Sequence, residues 1–184
     1  MHRLLEKLIQ EHRNLERVLD LLSAQLDRFF AGEESDFDLK IELMEYIETF
    51  ADQGHHPLEE RLFQAALDRA GERRELLERL TRQHQDLVQL TRRFRLSLEN
   101  ILQDGMMTRA ELETQGREYI ALQRQHIDLE ESEAFPLLEE LLTEEEWARV
   151  AREMPGRTDP VFETPDQVRF HNLVSYLAAG GERD

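Results

Sequence analysis

Residues 4–30 read LLEKLIQEHRNLERVLDLLSAQLDRFF. Within it Leu5, Leu8, His12, Leu15, Leu19, Leu22, Leu26 and Phe29 recur at alternating steps of three and four, which places them on one stripe of an α-helix. That rhythm is the seam of helices packed at shallow angles. The third member of the seam is a histidine, although its companions are apolar. Leu77, Leu80, His84, Leu87, Thr91, Phe94, Leu98 and Ile101 repeat the rhythm, and a histidine again stands third. Less regular seams pass through Ile47, Ala51, His55, Leu58 and Leu62, and through Leu112, Gly116, Tyr119, Gln123, His126 and Glu130. All four seams therefore carry a histidine at a core position.

Short breaker clusters separate the four segments. Ala31-Gly32-Glu33-Glu34-Ser35 ends the first, and Ser35 or Asp36 can cap a second helix reaching about Ala70, where Gly71 stops it. A third helix covers about Glu72 to Leu102 and breaks at Asp104-Gly105. Thr108, followed three residues later by Glu111, reads as a capping box for a fourth helix to about Leu142. Short connections make consecutive long helices antiparallel. The expected fold is all-α: an antiparallel up-down-up-down four-helix bundle over residues 1–142. Residues 143–184 form a short helical C-terminal extension packed on it. Thr143-Glu144-Glu145-Glu146-Trp147 starts one helix of that extension, which ends near Met154-Pro155-Gly156. Thr164-Pro165-Asp166-Gln167 starts another, running to about Ala178. Val161, Phe162, Phe170, Leu173, Val174 and Leu177 supply the apolar surface that docks it.

Composition narrows the function classes. At 184 residues the chain suits one domain with a substantial core, and 40% apolar residues with only 5 prolines suit a helical one. Its common residues, Leu, Glu, Arg, Gln and Ala, are good helix formers. No apolar run approaches the roughly 20 residues that span a bilayer. The amphipathic pattern begins directly after Met1, so no signal peptide and a cytoplasmic location are expected. The absence of cysteine excludes disulfides, thiolate zinc sites, iron–sulfur clusters and cysteine nucleophiles. A formal charge of −17 argues against nucleic acid and anionic membranes as partners.

The histidines share a height along the bundle. His12 lies about 21 residues before the first break and His55 about 22 after it; His84 and His126 lie about 21 either side of the third. His56 and His84 lie about 15 and 13 residues from the second. At about 1.5 Å per residue these mismatches amount to a few ångströms. In His55-His56-Pro57-Leu58-Glu59-Glu60, steps of about 100° place Glu59 between the two imidazoles. There it suits a bridge between two cations. Glu60 fits that place less well, although it pairs with His56 at i, i+4. His126 and Glu130 stand one turn apart on one face. A lone core histidine is more often a hydrogen-bonded core residue than a ligand, and His2 and His171 stay in that class. Five imidazoles and two carboxylates at one level are costly to bury without a cation. His12, His55, His56, Glu59, His84, His126 and Glu130 are therefore the candidate metal ligands. Seven ligands suit two ions, and nitrogen with oxygen donors suits iron or manganese, with zinc possible.

Together Glu11-His12-Arg13-Asn14-Leu15, His55-His56-Pro57-Leu58-Glu59-Glu60, Gln83-His84-Gln85-Asp86-Leu87 and His126-Ile127-Asp128-Leu129-Glu130 resemble the hemerythrin-like HHE cation-binding domain. The resemblance covers about residues 1–142. It implies a non-haem di-iron centre, oxo- or hydroxo-bridged, in a four-helix bundle whose best-known members bind oxygen reversibly. His12, His55, Glu59, His84, His126 and Glu130 carry over directly as ligands. Two departures stand out. The invertebrate oxygen carriers have a second histidine four residues after the first on the third helix, where this chain has Val88. Their last ligand is an aspartate at i+5 from the fourth-helix histidine, where this chain has Glu130 at i+4. His56 is the residue that would restore a seventh ligand. The changed set argues against stable reversible oxygen carriage and is compatible with autoxidation, redox sensing or peroxide chemistry. A ferritin-like plan needs two Glu-x-x-His pairs, and only Asp52-Gln53-Gly54-His55 approximates one.

The expected function is a di-iron protein that binds O2 or another small diatomic or peroxide ligand for sensing, storage or delivery. The alternatives are a redox enzyme acting on peroxide, nitric oxide or ferrous iron, an iron-sensing or buffering protein, and a metal-free helical interaction module.

Overall fold

The computed structural model describes residues 1–33, 35–103, 107–154 and 156–179. Among them every regular element is helical. None of these helices is long and apolar enough to cross a membrane.

The first run, α1 (Arg3–Ala31), starts where the His2 side chain caps the Leu4 amide. The second begins at α2 (Phe37–Tyr46), with the Asp36 carboxylate capping Leu39. It widens into a π-helical segment, Ile47–His55, and returns to α geometry in α3 (His56–Ala66). Next comes α4 (Arg74–Leu102). The fourth run opens with α5 (Arg109–Leu129) on the expected Thr108–Glu111 capping box, passes through a second π-helical segment, Glu130–Ala134, and ends in α6 (Phe135–Leu141). The expected break at Asp104-Gly105 lies outside the described residues.

Both π segments end two residues before a proline inside a helical run, Pro57 and Pro136. A proline there has no N–H to donate, and its ring crowds the carbonyl four residues back. A wider turn relieves the clash and keeps the run going: the His56 amide bonds the Ala51 carbonyl, and the Phe135 amide bonds that of Glu130.

The expected seams are the buried stripes. Leu5, Leu8, Leu15, Leu22, Leu77, Leu80, Phe94 and Leu98 all have 4% exposure or less, while Phe29 and Ile101 at the seam ends are only partly covered. The apolar core falls into two clusters. One contains Leu15 to Leu26, Leu39 to Ala51, Phe94, Leu98 and Leu112 to Ile127; the other contains Leu5, Leu8, Leu58 to Ala66, Leu77, Leu80 and Ala134 to Leu142. His12, His55 and His84 stand in their runs between the two apolar portions, and His126 stands at the end of the first portion of its run, one residue before Ile127.

The residues after 142 pack on these runs. α7 (Glu144–Glu153) starts on a Thr143–Glu146 capping box and buries Trp147 and Val150. A second helix was expected from about Thr164, but α8 begins only at His171 and runs to Ala178. The reason lies in Asp166. Its carboxylate takes the amides of Val168 and Arg169, and its own amide bonds the Pro160 carbonyl, which closes a turn in place of a helix.

Candidate metal centre

Each run brings its part of the polar layer inward. α1 supplies His12, and the first π segment with the start of α3 supplies His55, His56 and Glu59. α4 supplies His84, while the end of α5 and the second π segment supply His126 and Glu130. The structure brings all seven predicted residues together, and none is more than 3% exposed. Potential ligand atoms of His56, Glu59, His84 and His126 lie within 4.8 Å of one another, as do those of His12, His55 and Glu59.

The carboxylates are shared between these two groups. Glu59 Oε1 is 3.4 Å from His12 Nε2 and 3.1 Å from His55 Nε2, whereas its Oε2 is 3.5 Å from His84 Nε2. Glu130 divides the same way: Oε2 is 3.4 Å from His12 Nε2, and Oε1 is 3.1 Å from His84 Nε2 and 3.2 Å from His126 Nε2. Each carboxylate thus turns one oxygen to each group.

The outer edges of the rings are also supported. His55 Nδ1 lies 2.7 Å from Glu11 Oε2, His12 Nδ1 2.8 Å from Glu131 Oε1, and His126 Nδ1 3.1 Å from Gln83 Oε1. Asp52 stands 3.3 Å from His56 Nδ1, and Glu60 3.4 Å from His84 Nδ1, close enough for charge but without a hydrogen bond to either ring. Glu60, weighed as a ligand from the sequence, therefore faces the outer side of His84, with its side chain 42% exposed. The other four supporters were not foreseen. Their signal was adjacency: Glu11, Gln83 and Glu131 are each next in sequence to a candidate ligand, and Asp52 precedes His56 by one turn.

Burial and charge act against each other here. Burial pulls the His12 imidazole down, but contacts with Glu130, Glu131 and Glu59 hold it well above its ordinary value. Burial likewise opposes His55 and His84, which the carboxylates raise to about 8 and about 10. His56 is lowered to about 4 by burial and by the charge of His84, whose ring stacks on it at 4.3 Å. Burial favours protonated Glu59 and Glu130, yet the surrounding imidazoles keep both ionised.

This pairing leaves the inner surface unsatisfied. His12 Nε2, His55 Nε2, His126 Nε2, both oxygens of Glu59 and Glu130 Oε2 are buried without a hydrogen-bond partner. Unpaired polar groups in an apolar interior are costly. All six atoms converge on one layer and all are donors that a cation can satisfy. The residues present fit a metal.

The family comparison agrees with this geometry. The model of the hemerythrin HHE cation-binding domain matches residues 3–138. The chain belongs to the hemerythrin HHE family. A hemerythrin-type helical fold fits the observed elements, and cation binding is the activity that membership and the buried His/Glu cluster support together. No curated protein and no solved structure gives a significant match. The two histidines set apart as bland lie outside this hemerythrin-like layer. His2 caps α1 and stacks on Trp147 at 4.3 Å, and His171 is exposed at the start of α8.

Proposed function

We propose that this hemerythrin-family chain is a non-haem di-iron protein that binds O2 or a related small ligand for sensing, storage or delivery in the cytoplasm. The observation that carries the reading is the division of Glu59 and Glu130, each with one oxygen toward each histidine group. His12 and His55 would hold one ion, and His56, His84 and His126 the other, with the two glutamates between them. Bound iron would supply reducing electrons and a Lewis-acid position for a small molecule. The protein's own part is to hold the rings by their outer nitrogens and to keep the layer dry between two apolar clusters. Manganese or zinc would suit the same donors.

The topology belongs to the same proposal. Along α1 the chain passes from the Leu5 cluster through His12 to the Leu15 cluster, and along α2–α3 from the Leu39 cluster through His55 to the Leu58 cluster. The third and fourth runs repeat the alternation. It supports an up-down-up-down four-helix bundle over residues 1–142 with an extension over 143–184.

A second reading is favoured by the outer carboxylates. Glu11, Glu131, Asp52 and Glu60 raise the basicity of the rings they face. That stabilises the more highly charged oxidation state and suits a redox enzyme acting on peroxide, nitric oxide or ferrous iron.

Metal analysis of the purified full chain tests the reading. About two irons per chain are expected, as seven ligands suit two ions. His126→Ala should lose metal and His171→Ala should retain it. Near-zero iron, manganese and zinc in the unmutated chain, or equal retention by both variants, would contradict the assignment.

A further inference from the structure

The segment between α7 and α8 lies beyond the family-matched residues 3–138, yet it passes over the outer side of His55. It is anchored at both ends. Trp147 and Val150 of α7 sit in an apolar cluster. Asp159, 1% exposed, accepts from the Tyr46 hydroxyl at 2.8 Å, from Asn14 Nδ2 at 3.2 Å, and from the Val161 and Phe162 amides at 2.9 Å.

Between the anchors the segment is tied to the metal layer by a chain of polar contacts. Lys7 Nζ donates to the Arg157 carbonyl at 3.3 Å and stands 3.6 Å from Glu11 Oε1. The other oxygen of Glu11 is the one 2.7 Å from His55 Nδ1. Two glycines lie at this contact, facing flexible side chains. A Cβ at Gly156 would stand 2.4 Å from Lys7 Nζ, and one at Gly54, next to His55, would stand 3.1 Å from Arg157 Cδ. Beneath the crossing is a cavity of about 70 Å³ that touches Lys7, Glu11, Gly54, His55 and Arg157. A cavity of that size admits a few waters or a small ligand.

Glu11 therefore serves two masters, a ring inside and an ammonium outside. With Lys7 in place its charge is balanced and its carboxylate is held toward His55. Without Lys7 the 10% exposed carboxylate keeps only His55 as a partner and has less to hold it from water.

We propose that Lys7 is a positioning residue of the metal centre, through which the C-terminal extension holds Glu11 against His55 and slows exchange at the His12–His55 half. The proposal rests on the di-iron reading above and adds to it an unequal lability of the two ions, imposed where Lys7 meets Arg157, a residue outside the family-matched region.

The experiment compares the full-length iron-loaded chain with Lys7→Met, with Lys7→Arg, and with Arg169→Ser as a control that loses a different surface pair, the one to Glu45. Release of ferrous iron to bipyridine is followed, and amide hydrogen exchange is measured on the metal-free forms. Losing the group that contacts a ligand ring, here Glu11, typically costs about 10- to 100-fold in metal affinity, and Lys7 acts one contact further out. Lys7→Met should therefore release one of two irons several-fold, up to about tenfold, faster and the other at the unmutated rate. Lys7→Arg, which keeps the donor, should restore the slow phase. In the metal-free chain, Lys7→Met should speed exchange across Ile47–His55 and leave α4 unchanged. Equal acceleration of both irons, no acceleration, or no rescue by arginine would overturn the proposal. Failure of the unmutated chain to take up iron would refute the di-iron reading itself. Unchanged exchange at 47–55 would refute the hold of Lys7 whatever the iron result.

Discussion

Single residues carry the centre in a repeating way. The neighbour of one candidate ligand supports a ligand on another run: Glu11 beside His12 faces His55, Gln83 beside His84 faces His126, and Glu131 beside Glu130 faces His12. A step of about 100° explains the pattern, because it turns the next side chain from the core toward the adjoining helix. Lys40 is a buried residue of another kind. It is fully covered, bonded to Ser35 Oγ and the Asp36 carbonyl, with its ammonium 4.0 Å from the Phe37 ring centre. Burial lowers it to about 8, against some support from Asp36. An unfolded lysine keeps its proton to about 10.5. Between these values the unfolded chain binds the extra proton, so this residue makes stability rise with pH. The difference in unfolding free energy between the unmutated chain and Lys40→Met should therefore grow from pH 7.5 to 9.5 in urea titrations. A flat difference would contradict the assignment.

At the scale of elements, the π segments are what the sequence did not disclose in advance. The seven site residues and the four seams were legible because spacing of three and four survives in any packed helix. A step of about 100° holds for a uniform α-helix, whereas His55 and Glu130 stand on wider turns. Pro57 and Pro136 were the available signal, each one or two places inside a resumed helix. The late start of α8 was missed for a related reason: Asp166 has the chemistry of a cap, and its carboxylate closed a turn instead. Pro57→Ala tests the π assignment. Alanine would restore an N–H and make the uniform α turn accessible, a gain well under the roughly 3 kcal/mol of a proline in a helix interior because Pro57 sits in the first turn of α3. The metal-free variant should melt higher, while metal affinity should fall because His55 rotates away from Glu59. Unchanged metal binding together with a raised Tm would show that the wide turn is not what presents His55.

Over the whole molecule, a polar layer divides one core into two apolar portions, and the extension closes over its side. The docking of that extension was legible only as apolar surface, in Val161, Phe162, Phe170 and Leu173. Asp159, the residue that fastens it, stands in the run Asp159-Pro160-Val161-Phe162, which resembles the tails of bacterial members of the family; its partners were not legible, because they come from Asn14 and Tyr46 far along the chain. Asp159→Ala leaves those donors buried without a partner. Each such loss costs about 1–3 kcal/mol, so chemical denaturation should show a destabilisation of at least about 2 kcal/mol. A change below about 0.5 kcal/mol, the scale of an ordinary surface substitution, would mean that the extension is not fastened there.

The proposed centre has two cations sharing Glu59 and Glu130 within one layer. Anomalous diffraction at the iron edge from crystals of the iron-loaded full chain tests it most directly. Two peaks are predicted, one against His12 and His55 and one against His56, His84 and His126, with both glutamates between them. A single peak, or peaks away from these side chains, would contradict it.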